Sequence, residues 1–188
     1  MKNRKPTKEE IQAAYGKTVP DILAPDLCVL FCGINPGLYS GAVGHHFAWP
    51  GNRFWKAIHK AGFTDEVLEP DEGEKLLEHG YGITNFVERA TGRASELSPE
   101  ELAAGAHILE DKVRRYKPHC VAVLGISAYR QAFNLPKAQI GRQPERLGGA
   151  ILWVLPNPSG LNAHFQVDDL AALFKEMKKD CDDKRCAG

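Results

Sequence analysis

The sequence predicts an α/β domain with a mainly parallel central sheet covered by helices on both faces. Short, continuous apolar runs end in glycine or turn residues, as strands buried on both sides do. Helical patterns separate these runs, which implies right-handed crossovers. A length of 188 residues suits one domain with a large core.

Residues 1–20 are polar apart from a short helical candidate, Glu9 to Tyr15, and Pro20 and Pro25 separate them from the rest of the chain. They are expected to form an appended amino-terminal extension. The first strand is expected in Leu27 to Gly33, followed by a helix over Arg53 to Ala61 and another over Glu72 to Glu78. Gly82 to Asn85 is the second, weaker strand candidate. Ser98-Pro99-Glu100-Glu101 carries an N-cap, a proline at the first helical position and a capping box, and Leu102, Ala106, Leu109, Val113 and Tyr116 then recur at helical spacing. Cys120 to Leu124 and Ile151 to Leu155 are the remaining strands, with helices expected over Ile126 to Phe133 and Val167 to Lys178. The expected organisation is an extension over 1–20, one domain over 21–178 and a polar tail over 179–188.

Hydrophobic residues at 43% and charged residues at 26% exclude disordered, collagen-like and coiled-coil chains. Twenty-four basic residues balance twenty-four acidic ones, so a uniformly basic nucleic-acid-binding body is excluded while a local basic face is not. No apolar run approaches the roughly 20 residues needed to cross a bilayer. Met1 to Lys5 is basic, but the Pro6-Thr7-Lys8-Glu9-Glu10 after it is no signal-peptide core. A cytoplasmic protein with no membrane partner is expected. The cysteines are Cys28, Cys32, Cys120, Cys181 and Cys186, an odd set with two members in a charged tail, so free thiols are expected. Cys28 and Cys32 are expected on one side of the first strand. Four-cysteine cluster spacing is absent, and no metal or cofactor is implied.

In a parallel sheet, ligands bind beyond the carboxyl ends of the strands. The first strand runs into Gly33-Ile34-Asn35-Pro36-Gly37 and the last into Leu155-Pro156-Asn157-Pro158-Ser159-Gly160-Leu161. Two Asn-Pro turns at corresponding strand ends would place Asn35 and the Ser159-Gly160-Leu161 tip on one rim. No GxGxxG or GxxxxGK[ST] follows any strand, which argues against a nucleotide- or phosphate-dependent enzyme.

These motifs, with Gly44 to Lys56 (GHHFAWPGNRFWK) and Gly82 to Thr91 (GITNFVERAT), resemble the mismatch-specific uracil/thymine DNA glycosylases of the uracil-DNA glycosylase superfamily. The similarity runs in one order from about Asp21 to Phe174. It implies a three-layer α/β/α sandwich and hydrolysis of the glycosidic bond of a base flipped out of DNA. By this resemblance, Asn35 positions the attacking water, Phe47 stacks on the extracted base, and backbone N–H groups around Ile34 and Phe47 contact it. Gly33 and Gly37 would allow the close approach. His46, Asn85 and Asn157 are assigned to the base pocket, His46 as a hydrogen-bonding group. Ser159, Gly160 and Leu161 form the wedge that enters the stack, and Arg53 serves the DNA face. Lys56, Lys60, Arg89 and Arg93 are further candidates for a phosphate face.

The chain mixes features of two branches. Asn85 follows the thymine branch, whereas a bacterial uracil branch has lysine there, and NPSGL follows the bacterial branch. Asn162-Ala163 stands where bacterial relatives commonly have Ser-Arg, which favours activity outside strict mismatches, single strands included. The partner implied is duplex DNA with a mismatched or damaged base, bound by a monomer. A DNA-binding domain without catalysis is the other reading, and the intact Asn35 and Phe47 argue against it.

Overall fold

The five strands are β1 (Val29–Gly33), β2 (Tyr81–Asn85), β3 (Cys120–Leu124), β4 (Gly141–Leu147) and β5 (Ala150–Leu155), seen in a computed structural model that describes residues 4–181. Their order in the sheet is β2-β1-β3-β5-β4, and all pairings are parallel except that of β4 with β5. Side-chain alternation divides the apolar runs between two cores. Phe31, Ala122, Trp153 and Leu155 enter one, while Leu30, Val121, Val123 and Val154 enter the other.

Among the described residues, the α-helices are α1 (Lys8–Gln12), α2 (Leu38–Val43), α3 (Phe54–Lys60), α4 (Pro99–Tyr116), α5 (Ile126–Ala132) and α6 (Val167–Cys181). Phe54 and Ile58 of α3 and Phe174 and Met177 of α6 fill the first core, against Leu102 and Leu109 of α4 and Tyr129 of α5 in the second. The result is the expected three-layer α/β/α sandwich. Among the described residues, no helix is long and apolar enough to cross a membrane.

α4 starts as expected: Ser98 Oγ accepts from Glu101 N at 3.2 Å, and Glu101 Oε2 accepts from Ser98 N at 2.9 Å. The helix expected over Glu72 to Glu78 is present as a longer 3-10 helix, Pro70–His79. Neither β4 nor α2 was expected. β4 reads GRQPERL, too polar for a buried strand, because only one edge of it is paired and its register breaks between Arg142 and Arg146 around Pro144. Proline and charge are what an edge strand tolerates. α2 is a six-residue helix closed by Gly44 at φ 75°, too short for a helical period to show.

The segment expected to be appended lies against the domain. Gly16 N donates to Ala90 O at 2.9 Å and Ala90 N donates to Lys17 O at 2.7 Å, and just beyond the segment Ile22 exchanges both backbone hydrogen bonds with Ile83 on the outer edge of β2. Ala14 and Val19 are buried. The apolar residues in this polar stretch are few but well placed.

The cysteines depart from the expectation in two ways. Cys120 and Cys181 are joined as a disulfide between β3 and the end of α6. Cys28 packs against the first core and Cys32 lies in the second, so the two do not share a face. Burial holds the Cys32 thiol well above its ordinary pKa. Cys186 lies outside the described residues.

α4 passes closely over the chain just after β2 at Gly105, where a Cβ would lie 2.3 Å from Phe86 O. Backbone on both sides leaves nothing flexible to yield. Gly105→Ala is therefore expected to destabilise the protein by about 2 kcal/mol through overpacking, despite alanine's better helix propensity. Urea denaturation reads this as a lower midpoint, and an unchanged midpoint would mean that α4 can move off the sheet.

Candidate active site

The chain passes from β1 to β2 on one side and returns to β3 on the other, so the order of the sheet reverses between β1 and β3. Beyond the carboxyl ends at such a reversal the loops diverge and leave a crevice. A cavity of about 420 Å³ lies there. Ile34, Asn35, His46, Phe47, Asn85 and Asn157 all line it, joined at its rim by Ser159 and Leu161. These come from four separate motifs.

Asn35 follows β1 directly, and its amide orientation is decided by its neighbours. Nδ2 donates to Arg89 O at 3.0 Å and to Thr91 Oγ1 at 2.8 Å. A carbonyl can only accept, so the nitrogen must be the atom that faces Arg89. Thr91 in turn donates its hydroxyl proton to Arg93 O at 2.8 Å, which leaves its oxygen as an acceptor for Asn35. Both amide protons are thus engaged, and Oδ1 remains as the acceptor available to the cavity.

Asn85 ends β2 opposite Gly33 in the parallel register. Its Oδ1 occupies the space where a Cβ at residue 33 would stand, 2.4 Å away, and the Phe47 ring lies 3.3 Å from the same point. Only glycine permits this packing. His46 is 4% exposed, with Nε2 2.9 Å from Pro20 O. That carbonyl requires a proton on Nε2, so Nδ1 of the neutral ring is an acceptor, and Asn85 Nδ2 approaches it at 3.4 Å. Asn85 is thereby oriented with nitrogen toward His46 and oxygen toward Gly33.

Phe47 adopts φ 51°, a left-handed conformation unusual for an aromatic residue. Its ring stacks on Phe54 of α3, with centroids 4.2 Å apart and planes at 29°. Packing on one face holds the strained residue, which contributes an aromatic wall to the cavity. Backbone strain of this kind concentrates at functional sites.

Asn157 and Arg53 build the rim loop. Asn157 Oδ1 accepts from Ser159 N at 2.9 Å, and Asn157 O accepts from Asn162 Nδ2 at 3.1 Å. Arg53 Nη1 donates to Ser159 O at 3.2 Å and to Asn162 O at 2.8 Å. Gly160 does not line the cavity; it lies against Gly51 and Trp49. The tip raises Leu161 into solvent at 77% exposure. Helical spacing groups Arg53 with Lys56 and Lys60 but does not show that the loop's carbonyls engage its guanidinium.

Arg89 is similarly committed. It makes a bidentate pair with Glu101 at 2.6 and 3.0 Å and reaches Tyr15 Oη at 3.3 Å. The Arg89 hydrogen bond, with the Ser98 backbone, holds the Glu101 carboxyl at about 2. Lys60 pairs with Asp168 on α6. Arg93 lines the cavity and enters no ion pair among the described residues. Sequence reasoning assigned no role to Thr91, Trp49, Pro20 or Ile11, whose proximity to the site depends on tertiary contacts.

Residues 20–181 match the profile of the Uracil DNA glycosylase superfamily. The chain belongs to that superfamily. Members act on DNA, so this chain is a DNA glycosylase whose chemistry is hydrolysis of the bond between uracil and its sugar. The solution NMR structure of a candidate uracil DNA glycosylase from Methanosarcina acetivorans is similar in fold, with a TM-score of 0.57 and 20% identity over 87% of this chain and 98% of that one.

The glycosylase has one buried titratable group beside its cavity. Burial lowers the His46 pKa below its ordinary value of 6.5, with His45 and Lys112 working the same way, while the Pro20 carbonyl and Asp21 oppose it. Between that lowered value and 6.5, the unfolded chain binds a proton that the folded chain does not. The stability from neutral His46 is complete above about pH 6.5 and is lost as pH falls through the folded value. Thermal melts from pH 7.5 to 5 are expected to show a smaller fall for His46→Gln than for the wild-type protein. Parallel curves would remove His46 as the source of the acid sensitivity.

Proposed function

We propose that the enzyme is a monofunctional glycosylase of base excision repair that flips uracil out of DNA, G·U mismatches included, and hydrolyses it to leave an abasic site. Thymine and modified cytosines opposite guanine are the wider substrate class. The orientation of Asn35 supports this reading most directly: the residue lines a base-sized cavity with both amide protons held elsewhere, which leaves its oxygen as the acceptor.

Glycosidic cleavage develops positive charge on the sugar and negative charge on the departing base. The Asn35 oxygen accepts a hydrogen bond from water and aims the water's lone pair at C1′, but it cannot remove a proton. Catalysis then rests on aim and on stabilising the leaving base. Phe47 holds the base plane against its ring. Asn85, oriented by His46, offers its amide to the polar edge of the pyrimidine, where donor and acceptor alternate. Leu161, held out by the Arg53-braced loop, fills the vacancy in the stack. No carboxylate acts on the water, so the rate profile has no carboxylate limb at low pH.

A duplex oligonucleotide with one G·U pair, incubated with protein and then treated with alkali, tests the activity. Strand breakage that requires alkali is the expected result, and absence of abasic sites in every uracil context would refute the enzyme reading. Asn35→Ala is expected to lower single-turnover cleavage by at least about 10²-fold while DNA binding persists. Normal turnover in that variant would take Asn35 out of the mechanism. Leu161→Ala is expected to weaken affinity for the abasic product and speed its release, and unchanged values for both would contradict the wedge assignment.

A further inference from the structure

Three tryptophans differ sharply in surroundings. Trp55 and Trp153 are buried, and their indole N–H groups donate to His46 O at 3.2 Å and to Asp180 Oδ2 at 2.8 Å. Trp49 is 46% exposed, and its N–H makes no hydrogen bond among the described residues. It lines the cavity together with Ser159 and Leu161. An indole in this position leaves apolar area in water with no structural bond to show for it.

The ring is nevertheless held in place. A Cβ at Gly51 would lie 2.1 Å from Cζ3 and 2.3 Å from Cη2 of Trp49, and one at Gly160 would lie 2.5 Å from Cζ3. Gly51 and Gly160, which lie against each other, therefore let the benzo ring pack against backbone. Gly160 immediately precedes Leu161, so the indole and the wedge share one support. Confinement by backbone pre-organises the exposed part of the ring for a flat partner.

From this arrangement we infer that Trp49 is a stacking platform for a nucleobase that flanks the flipped one, and that it contributes most on single-stranded DNA. The inference rests on the glycosylase reading of the cavity behind it. In a duplex, Leu161 has a vacancy to fill and neighbouring pairs to press against. In a single strand there is no helix to plug, so the wedge contributes little. Stacking on an aromatic face needs no complementary strand, and every base presents such a face. Trp49 thus extends the substrate class to uracil in single strands.

The test uses the full chain and a single-stranded oligonucleotide carrying 2′-fluoro-2′-deoxyuridine, which resists hydrolysis, beside a G·U duplex with the same modification. Trp49→Ala is expected to raise Kd for the single strand about tenfold and for the duplex less than threefold, with Trp49→Phe keeping most of the affinity. Binding should quench tryptophan fluorescence in the wild-type protein and leave it nearly unchanged in Trp49→Phe, whose remaining tryptophans are buried. Equal losses on both DNAs would make Trp49 a support for the Leu161 loop only, and no loss, or no single-strand binding by the wild-type protein, would overturn the platform. Thermal melts of both variants identify a loss caused by misfolding, in which case Trp49→Phe and its quenching decide. Failure to cleave unmodified uracil would instead refute the glycosylase reading and would leave the binding comparison intact.

Discussion

The hydrogen bonds from Asn35 Nδ2 to Arg89 O and Thr91 Oγ1 determine what the cavity can do. An amide rotated by half a turn would set its oxygen against the Arg89 carbonyl, which has no proton to give. The acceptors that prevent this lie 54 and 56 residues further along the chain. An aspartate in place of Asn35 would turn an oxygen toward the Arg89 carbonyl, with no proton to share unless the acid were neutral. The local environment is therefore built for an amide.

Those acceptors are themselves held from outside the sheet. Lys17 and Gly16 pair with Ala90, and Thr18 bridges to Arg89, so the amino-terminal segment lies against the strip that carries both partners of Asn35. On the other side, Glu101 and Tyr15 engage the Arg89 side chain. Pro20 then fixes the His46 tautomer, and His46 orients Asn85. One short segment thus bears on both asparagines, each placed so that its amide cannot flip without losing a partner. Ile11 from α1 completes part of the cavity wall.

How much of this was legible depends on the range of each signal. Continuous apolar runs announce strands covered on both faces, and Ser98 with Glu101 announces a helix start, because those patterns are local. β4 escaped notice because an edge strand lacks an apolar pattern, and α2 because it is shorter than two turns. At the site, Asn35, Phe47 and Leu161 could be picked out by motif, and the cavity brings them together. Thr91 could not, since nothing about a threonine at a strand-end loop says which side chain will reach it. Arg53 and Arg89 show the converse limit: residue type revealed their charge, while tertiary contacts determined that backbone carbonyls and Glu101 would engage them.

Those commitments give the chain's zero net charge its meaning. Of the cations expected at the DNA face, Arg53 braces a loop, Arg89 pairs with Glu101 and Lys60 pairs with Asp168. Asp180 pairs with Arg142 away from the cavity, while Asp182 and Asp183 lie outside the described residues. Among the described residues, Arg93 at the cavity and the exposed Lys56 on α3 enter no ion pair. Phosphate neutralisation is the sequence-independent part of DNA affinity, and each lost cation reduces both that affinity and its dependence on salt. With only part of that set left unpaired, affinity under the proposed function rests largely on shape: a base seated against Phe47, Leu161 in the gap, and the indole of Trp49 beside the cavity. Such contacts form fully only where a base can leave its stack, so weak bulk attraction itself favours sites at which pairing is already poor.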